Sequence, residues 1–267
     1  MEWKITPGVG YECGSHRLGA SIYYGNRKET VDYQNIGTHT AYPFFVSYPL
    51  GYFKTLPKGE NIKWYYSAQE FGGFLQEEGV YGCFRLFQQI GGNLVRQNIV
   101  SDRIQNKKEG ETDGWKLDYK GIGSFVSPLN RHEWSWKVLF DKSDSYDLLQ
   151  QQEENMGKWH SSGKVLRSTS RINEYGLTYG YYRLYNEWNS RYSIVSGIDF
   201  KQTKSQLFFY PAEYMQTVRR FIAYSTLTRN FLLSNARIDL AIGAEYGKGG
   251  GTMIAEKKLQ SGQNTPA

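Results

Sequence analysis

Cysteine is nearly absent from this chain. Cys13 and Cys83 are the only two in 267 residues, too few for a disulfide framework, and neither stands in a metal-ligand spacing. Proline is scarce as well, at 7 residues, which leaves long uninterrupted strands open. No apolar run is long enough for a spanning helix. That excludes a helical membrane protein but not a β-barrel, whose strands cross with about 9–11 alternating residues. The opening residues Met1-Glu2-Trp3-Lys4-Ile5-Thr6-Pro7 carry neither the basic nor the apolar stretch of an export signal. A compact basic motif is also missing. The formal charge of +6 and the pI near 9.0 come from Lys and Arg interspersed with Asp and Glu, so nucleic acid is not an expected partner.

Aromatic residues are abundant: they make up 16% of the chain, with 22 Tyr and 7 Trp, at a mean hydropathy of −0.61. This mixture suits half-buried strands better than helices. From Ala236 to Tyr246 the chain puts Ala236, Ile238, Leu240, Ile242, Ala244 and Tyr246 on one face. The other face carries Arg237, Asp239, Ala241, Gly243 and Glu245. A period of two means a strand bordering an apolar medium on one side and a polar, sterically tight space on the other. Similar alternation predicts strands over Trp3 to Glu12, Arg17 to about Val31 and Trp115 to Val126, and a less clean alternation predicts strands around Trp64 to Gln76 and Tyr81 to Arg96. It continues after a Ser127-Pro128-Leu129-Asn130 turn in a sixth strand, where Trp134, Trp136, Val138 and Phe140 oppose Glu133, Ser135, Lys137 and Asp141. Lys164 to Tyr185 and a segment around Tyr192 to Lys201 follow. A ninth strand from Gln216 to Leu232, whose faces the pattern does not assign, precedes the Ala236 strand.

The connections alternate. Short turns are predicted at Gly14–Ser15, Glu77–Gly79, Ser127–Asn130, Asn186–Glu187 and Leu233–Asn235, and long ones at Asp32–Asn61, Ser101–Gly114, Lys142–Gly163 and Gln206–Met215. Outer-membrane barrels have short periplasmic turns and long external loops. The expectation is therefore an all-β, antiparallel up-and-down meander of about ten long strands, a transmembrane β-barrel. Residues 1–247 would form the barrel region and 248–267 a disordered tail or the start of an extracellular loop. Trp115, Trp134, Trp188 and the many Tyr would form interfacial girdles. With short turns periplasmic, Trp3–Glu12 descends from outside and Ala236–Tyr246 climbs outward. Both are then expected as unpaired edges of a larger, incompletely closed barrel.

Glu174-Tyr175-Gly176-Leu177-Thr178-Tyr179-Gly180-Tyr181-Tyr182 and Glu70-Phe71-Gly72-Gly73-Phe74-Leu75-Gln76 resemble uncharacterised outer-membrane β-barrel proteins of the Bacteroidetes type. The resemblance implies a barrel in the outer membrane of a Gram-negative bacterium and implies no activity. The chain departs from that pattern in lacking an export signal and a final strand ending in an aromatic residue.

The polar face supplies the lumen-lining candidates Glu12, Arg17, Arg27, Glu133, Lys137, Glu174, Arg191, Asp199, Lys201, Arg237, Asp239 and Glu245. Such residues either pair across strands to fill the lumen or line a selective pore. Arg167 and Arg171, just above the apolar stretch of their strand, are candidates for contact with lipopolysaccharide phosphates. Outer-membrane lipid is thus the expected partner, and a surface lipoprotein is left open. Asp141, Asp144, Asp147, Glu153 and Glu154 lack the Gly and the terminal Glu of an EF-hand loop, and no metal or cofactor is expected. His16, His39, His132 and His160 stand near no recognisable nucleophile or acid motif, so no enzymatic role is expected. Permeation, uptake or a structural role at the cell surface is the leading reading. The alternatives are a soluble aromatic-rich glycan-binding module and an outer-membrane hydrolase using His39 or His160.

Overall fold

The structure, a computed structural model, describes residues 1–33, 44–47, 53–56, 62–101, 107–152, 159–185, 190–209, 212–232 and 236–257. Their regular elements are all strands: β1 (Glu2–Ile5), β2 (Gly8–Cys13), β3 (His16–Tyr33), β4 (Phe44–Ser47), β5 (Phe53–Leu56), β6 (Ile62–Tyr81), β7 (Phe84–Ser101), β8 (Lys107–Val126), β9 (Asn130–Gln152), β10 (Trp159–Leu184), β11 (Ser190–Phe209), β12 (Ala212–Leu232) and β13 (Arg237–Lys257). An 11-stranded sheet runs β1-β3-β6-β7-β8-β9-β10-β11-β12-β13, with β2 also on β3, and β4 pairs with β5 apart from it. Every pairing is antiparallel, so the fold is an all-β meander. Among the described residues, β1 and β2 at one edge and β13 at the other have a strand on one side only, and the sheet does not close. Open edges were the expectation for Trp3–Glu12 and Ala236–Tyr246.

Several expected boundaries move, each for a local reason. The strand expected from Trp3 to Glu12 is split at Pro7, which has no N–H for the ladder. Its register on β3 is unbroken, from Ile5↔Tyr24 to Gly8↔Ser21, because the Pro7 carbonyl accepts the Ile22 N–H at 3.2 Å and the Ser21 hydroxyl at 2.8 Å. The turn expected at Glu77–Gly79 lies instead at Gly82-Cys83, because the β6–β7 pairing continues through Glu78↔Phe87 to Tyr81↔Phe84, although alternation breaks at Glu77↔Gln88. Gly14 and Gly82, with φ of 60° and 65°, supply the left-handed first residue that tight hairpins need.

The long loops expected at Ser101–Gly114, Lys142–Gly163 and Gln206–Met215 are mostly strand. β9 continues to Gln152, β8 and β10 begin at Lys107 and Trp159, and β11 and β12 leave only residues 210–211 between them. In these extensions the apolar residues stand side by side, as in Leu148-Leu149, Leu207-Phe208-Phe209 and Tyr214-Met215, among Asp, Gln, Lys and Ser, so period-two hydrophobicity does not reveal them. Cross-strand contacts still hold them, such as Arg96 to Asp113 at 2.8 Å and Thr112 to Ser145 at 2.8 Å. β13 likewise runs past Gly247 to Lys257 in register with β12, where a tail was expected. Gly249, Gly250 and Gly251 stay extended because β12 supplies their partners. Most of the Asp32–Asn61 connection, the Asn186–Glu187 turn, Trp188 and Leu233–Asn235 lie outside the described residues.

The register sorts side chains into two faces. One carries Tyr24, Phe71, Leu94 and Trp115 in a row across β3, β6, β7 and β8. Further along, Val138, Tyr175, Phe200 and Phe221 line up across β9–β12, as do Ile194, Leu227 and Ile242 across β11–β13. The unassigned ninth strand thus places Phe221, Leu227 and Phe231 on the apolar face. Aromatic contacts cluster at both ends of this face. Phe140 meets Tyr175 edge-on at 5.9 Å at one end, and Trp134 and His132 lie 5.7 and 5.1 Å from Tyr179 and Tyr181 at the other. Among the described residues only Ile99, Leu148 and Leu184 are buried hydrophobics, whereas Ile242 is 72% and Leu94 62% exposed. The hydrophobic surface is an outer face, not a core.

Candidate functional site: the polar face

Lys137, Gly176 and Asp199 stand side by side on β9, β10 and β11. Lys137 extends over Gly176, putting Nζ 3.0 Å from Asp199 Oδ1 and 2.9 Å from Glu174 Oε1, and Lys201 approaches Glu174 Oε2 at 3.6 Å. A Cβ on Gly176 would lie 2.5 Å from Lys137 Cε and 2.6 Å from Asp199 Oδ1, so this crossing requires glycine. The same arrangement recurs one row away. Tyr224 on β12 lies over Gly197 on β11, and its hydroxyl is 2.9 Å from Thr178 Oγ1 on β10. A Cβ on Gly197 would meet the Tyr224 ring at 2.6 Å. These side chains border a recess of about 370 Å³ with Lys120 and Ser135. Lys120 directly faces Lys137. The face therefore presents charges of both signs around that recess.

The other lumen candidates are more dispersed. Glu12 and Arg17 pair at 2.8 Å, with Glu78 at 3.4 Å, beside the Gly14 turn. Arg27 meets Glu29 at 3.5 Å, Glu133 meets Arg131 at 3.9 Å, and Arg237 meets Asp239 at 2.8 Å. Glu245 is opposite Tyr224. Arg191 sits beside the irregularity where Leu184 pairs with Ser190, its guanidinium 5.9 Å from the Tyr185 ring and away from the network. Exposed pairs of this kind each contribute roughly 0.2–1 kcal/mol.

A second cluster was not anticipated. The Tyr23 hydroxyl donates to Glu70 Oε1 at 3.0 Å, Asn93 Nδ2 donates to the same oxygen, and Lys4 Nζ lies 3.6 Å from the Tyr23 ring centre. Gly72-Gly73 and Gly91-Gly92 blur the alternation of β6 and β7. The parity of Phe71, Gly73 and Leu75 was nonetheless a usable signal, since it places Glu70 on the opposite face.

Above the apolar face, Glu111 is only 5% exposed and accepts from Lys108 and Lys164, with Arg96 Nε at 3.9 Å. Burial pushes its carboxyl up, but the hydrogen bonds from Lys108 and Lys164 and the Lys108 charge prevail and bring it down to about 2. Asp144 is also held below the usual carboxylate range. Burial opposes this shift, and the hydrogen bonds from Lys142, at 2.7 Å, and Thr169 outweigh it.

Arg167 does not project outward as expected. A bulge between Leu166 and Ser168 reverses the alternation there, and Arg167 Nε donates to Asp147 at 2.8 Å. Arg171, below the bulge, keeps the apolar-face parity, between Lys142 on β9 and Lys204 on β11. Asp141, Asp144 and Asp147 are spread along β9, and Glu153 and Glu154 lie outside the described residues. His132 Nδ1 is 2.9 Å from the Tyr179 hydroxyl, and His16 Nδ1 is 3.6 Å from Glu77. His160 is exposed, and His39 is outside the described residues.

Among solved structures, the chain is similar to a copper transporter, OprC, with 10% identity and a TM-score of 0.43, covering 87% of this chain. The chain spans 44% of that structure's length. No curated protein matches it. A family model described as "Family of unknown function (DUF6850)" matches residues 1–264. The chain belongs to that family of unknown function.

Proposed function

We propose that the sheet is part of the wall of an outer-membrane β-barrel and serves passive permeation, uptake or a structural role at the cell surface without catalysis. The observation that carries this reading is the continuous outward apolar face, which has no second layer among the described residues to cover it. Fully burying one large apolar side chain is worth roughly 1.5–3 kcal/mol, so such a face demands an apolar medium. Its height fits a bilayer. From Trp115 to Phe125 on β8 is roughly 34 Å along a strand, and a tilt of about 45° reduces this to roughly 25 Å, the height of an outer-membrane apolar band.

The opposite face borders water in this reading. Its charges are of both signs and joined across β9–β11 by Lys137, which suits a lumen wall. A bilayer supplies no water to unpaired backbone, so the edges at β1/β2 and β13 pair with further strands or with each other. Heat-modifiable gel mobility and detergent partition test the proposal. A barrel migrates faster unheated than boiled and enters the detergent phase. A monomer that is water-soluble without detergent would contradict the proposal and favour the soluble glycan-binding alternative. A barrel hydrolase would instead lose a measurable activity on substitution of His39 or His160.

A further inference from the structure

The apolar-face side of β11–β13 ends in a cationic groove. Lys248, level with the Phe200–Phe221 pair, and Arg219 and Lys204 beyond it share that side with the Thr217 and Thr252 hydroxyls, around a recess of about 550 Å³. Gly250 lies directly opposite Arg219 and has open space where a Cβ would stand, so backbone is accessible at the groove floor. Arg171 on β10 directly faces Lys204 on β11 and extends the positive patch. Like charges directly opposed on a sheet are destabilising unless something bridges them. Among the described residues, Arg171, Lys204, Arg219 and Lys248 form no ion pair. The nearby acids are turned away or engaged: Asp199 and Glu245 have the opposite parity, Glu213 accepts from Gln206, and Asp144, on the same side as Arg171 and partly offsetting its charge, accepts from Lys142 and Thr169.

We propose that this groove seats the headgroup of a lipid bearing more than one phosphate in the outer leaflet, with its acyl chains lying on the apolar face below Phe200 and Phe221. The inference rests on the barrel reading. Height and charge together select the ligand. The cations begin where the aromatic girdle ends, at headgroup level. Arginine and lysine donors there match phosphate oxygens, and a single phosphodiester would leave most of the four positive charges unbalanced. The apolar stretch below holds the ligand in the leaflet, which a free phosphate could not use.

The full chain is reconstituted in phosphatidylcholine vesicles doped with a diphosphorylated glucosamine-disaccharide lipid, with phosphatidylglycerol, or with no anionic lipid plus inorganic phosphate. Lipid retained after detergent extraction is read by native mass spectrometry. Retention of the diphosphorylated lipid alone is expected, falling about tenfold in Arg219→Gln or Lys204→Gln, because one charge-assisted hydrogen bond is worth at least a factor of ten. Arg220→Gln removes the same charge from the neighbouring residue on the other face and is expected to leave retention unchanged. Equal loss in Arg219→Gln and Arg220→Gln, or equal retention of every anionic lipid, overturns the groove while leaving the barrel intact. Failure of the unsubstituted chain to insert overturns both.

Discussion

Lys137 and Asp199 lie on strands that are not neighbours, yet Nζ and Oδ1 are 3.0 Å apart because Gly176, on the strand between them, leaves the crossing open. The contact ties β9, β10 and β11 together through side chains as well as through their ladders.

Gly176→Val is therefore expected to displace Lys137 and lower stability by about 1–3 kcal/mol, with Gly176→Ala smaller. Urea unfolding of the detergent-folded protein reads this directly. The positions should couple, so that in a Lys137→Ser, Asp199→Ser background, where both close contacts are gone, Gly176→Ala costs little. Gly250→Ala, with open space around it, is the control expected to change stability by less than about 0.5 kcal/mol.

Tyr224→Phe keeps the ring over Gly197 and deletes only the hydroxyl that meets Thr178. A loss of about 1 kcal/mol is expected, measured in the same unfolding experiment. Thr178→Val should remove the same increment, and the double substitution little more.

Glu111 gives the outer extensions a pH dependence. Its folded pKa of about 2 lies below its ordinary 4.5, so on acidification the unfolded chain binds the proton first. The stabilisation is full above pH 4.5 and is lost as the pH falls toward 2. The difference in unfolding midpoint between the natural protein and Glu111→Gln should be largest near neutrality and shrink across that window. A constant difference would show that the Lys108 and Lys164 contacts do not operate in solution.

Charges placed on opposite faces of β13 should differ in cost. Ile242→Arg puts a cation into the apolar medium and is expected to cost about 2–4 kcal/mol of folding into vesicles near the bilayer midplane. Ala241→Arg, one residue away on the polar face, should cost much less.

Period-two alternation was legible in β3, β9, the middle of β10 and the first half of β13, where apolar and polar residues largely alternate, but not in β12, although Phe221 and Leu227 stand on the apolar face there. It located the polar-face residues Lys137, Glu174, Asp199 and Lys201 without coordinates. It lost its meaning where apolar residues stand side by side, as in Leu148-Leu149 and Leu207-Phe208-Phe209, or give way to glycine, as in Gly249-Gly250-Gly251, so the paired extensions of β8–β12 read as loops and the end of β13 as a tail. A one-residue bulge was enough to reverse Arg167, and alternation has no way to register an extra residue. The crossing of Lys137 over Gly176 was invisible for another reason: it depends on register between strands, which neither strand states alone.

The most direct test of a membrane-facing wall is a residue-by-residue scan of β13 from Ile238 to Tyr246. Single cysteines are introduced in a background lacking Cys13 and Cys83, fluorescently labelled, and challenged with quenchers on lipid chains and in water. Lipid quenching at Ile238, Leu240, Ile242, Ala244 and Tyr246, alternating with aqueous quenching at Asp239, Ala241, Gly243 and Glu245, is predicted. Aqueous quenching at every position, with no alternation, would contradict the account.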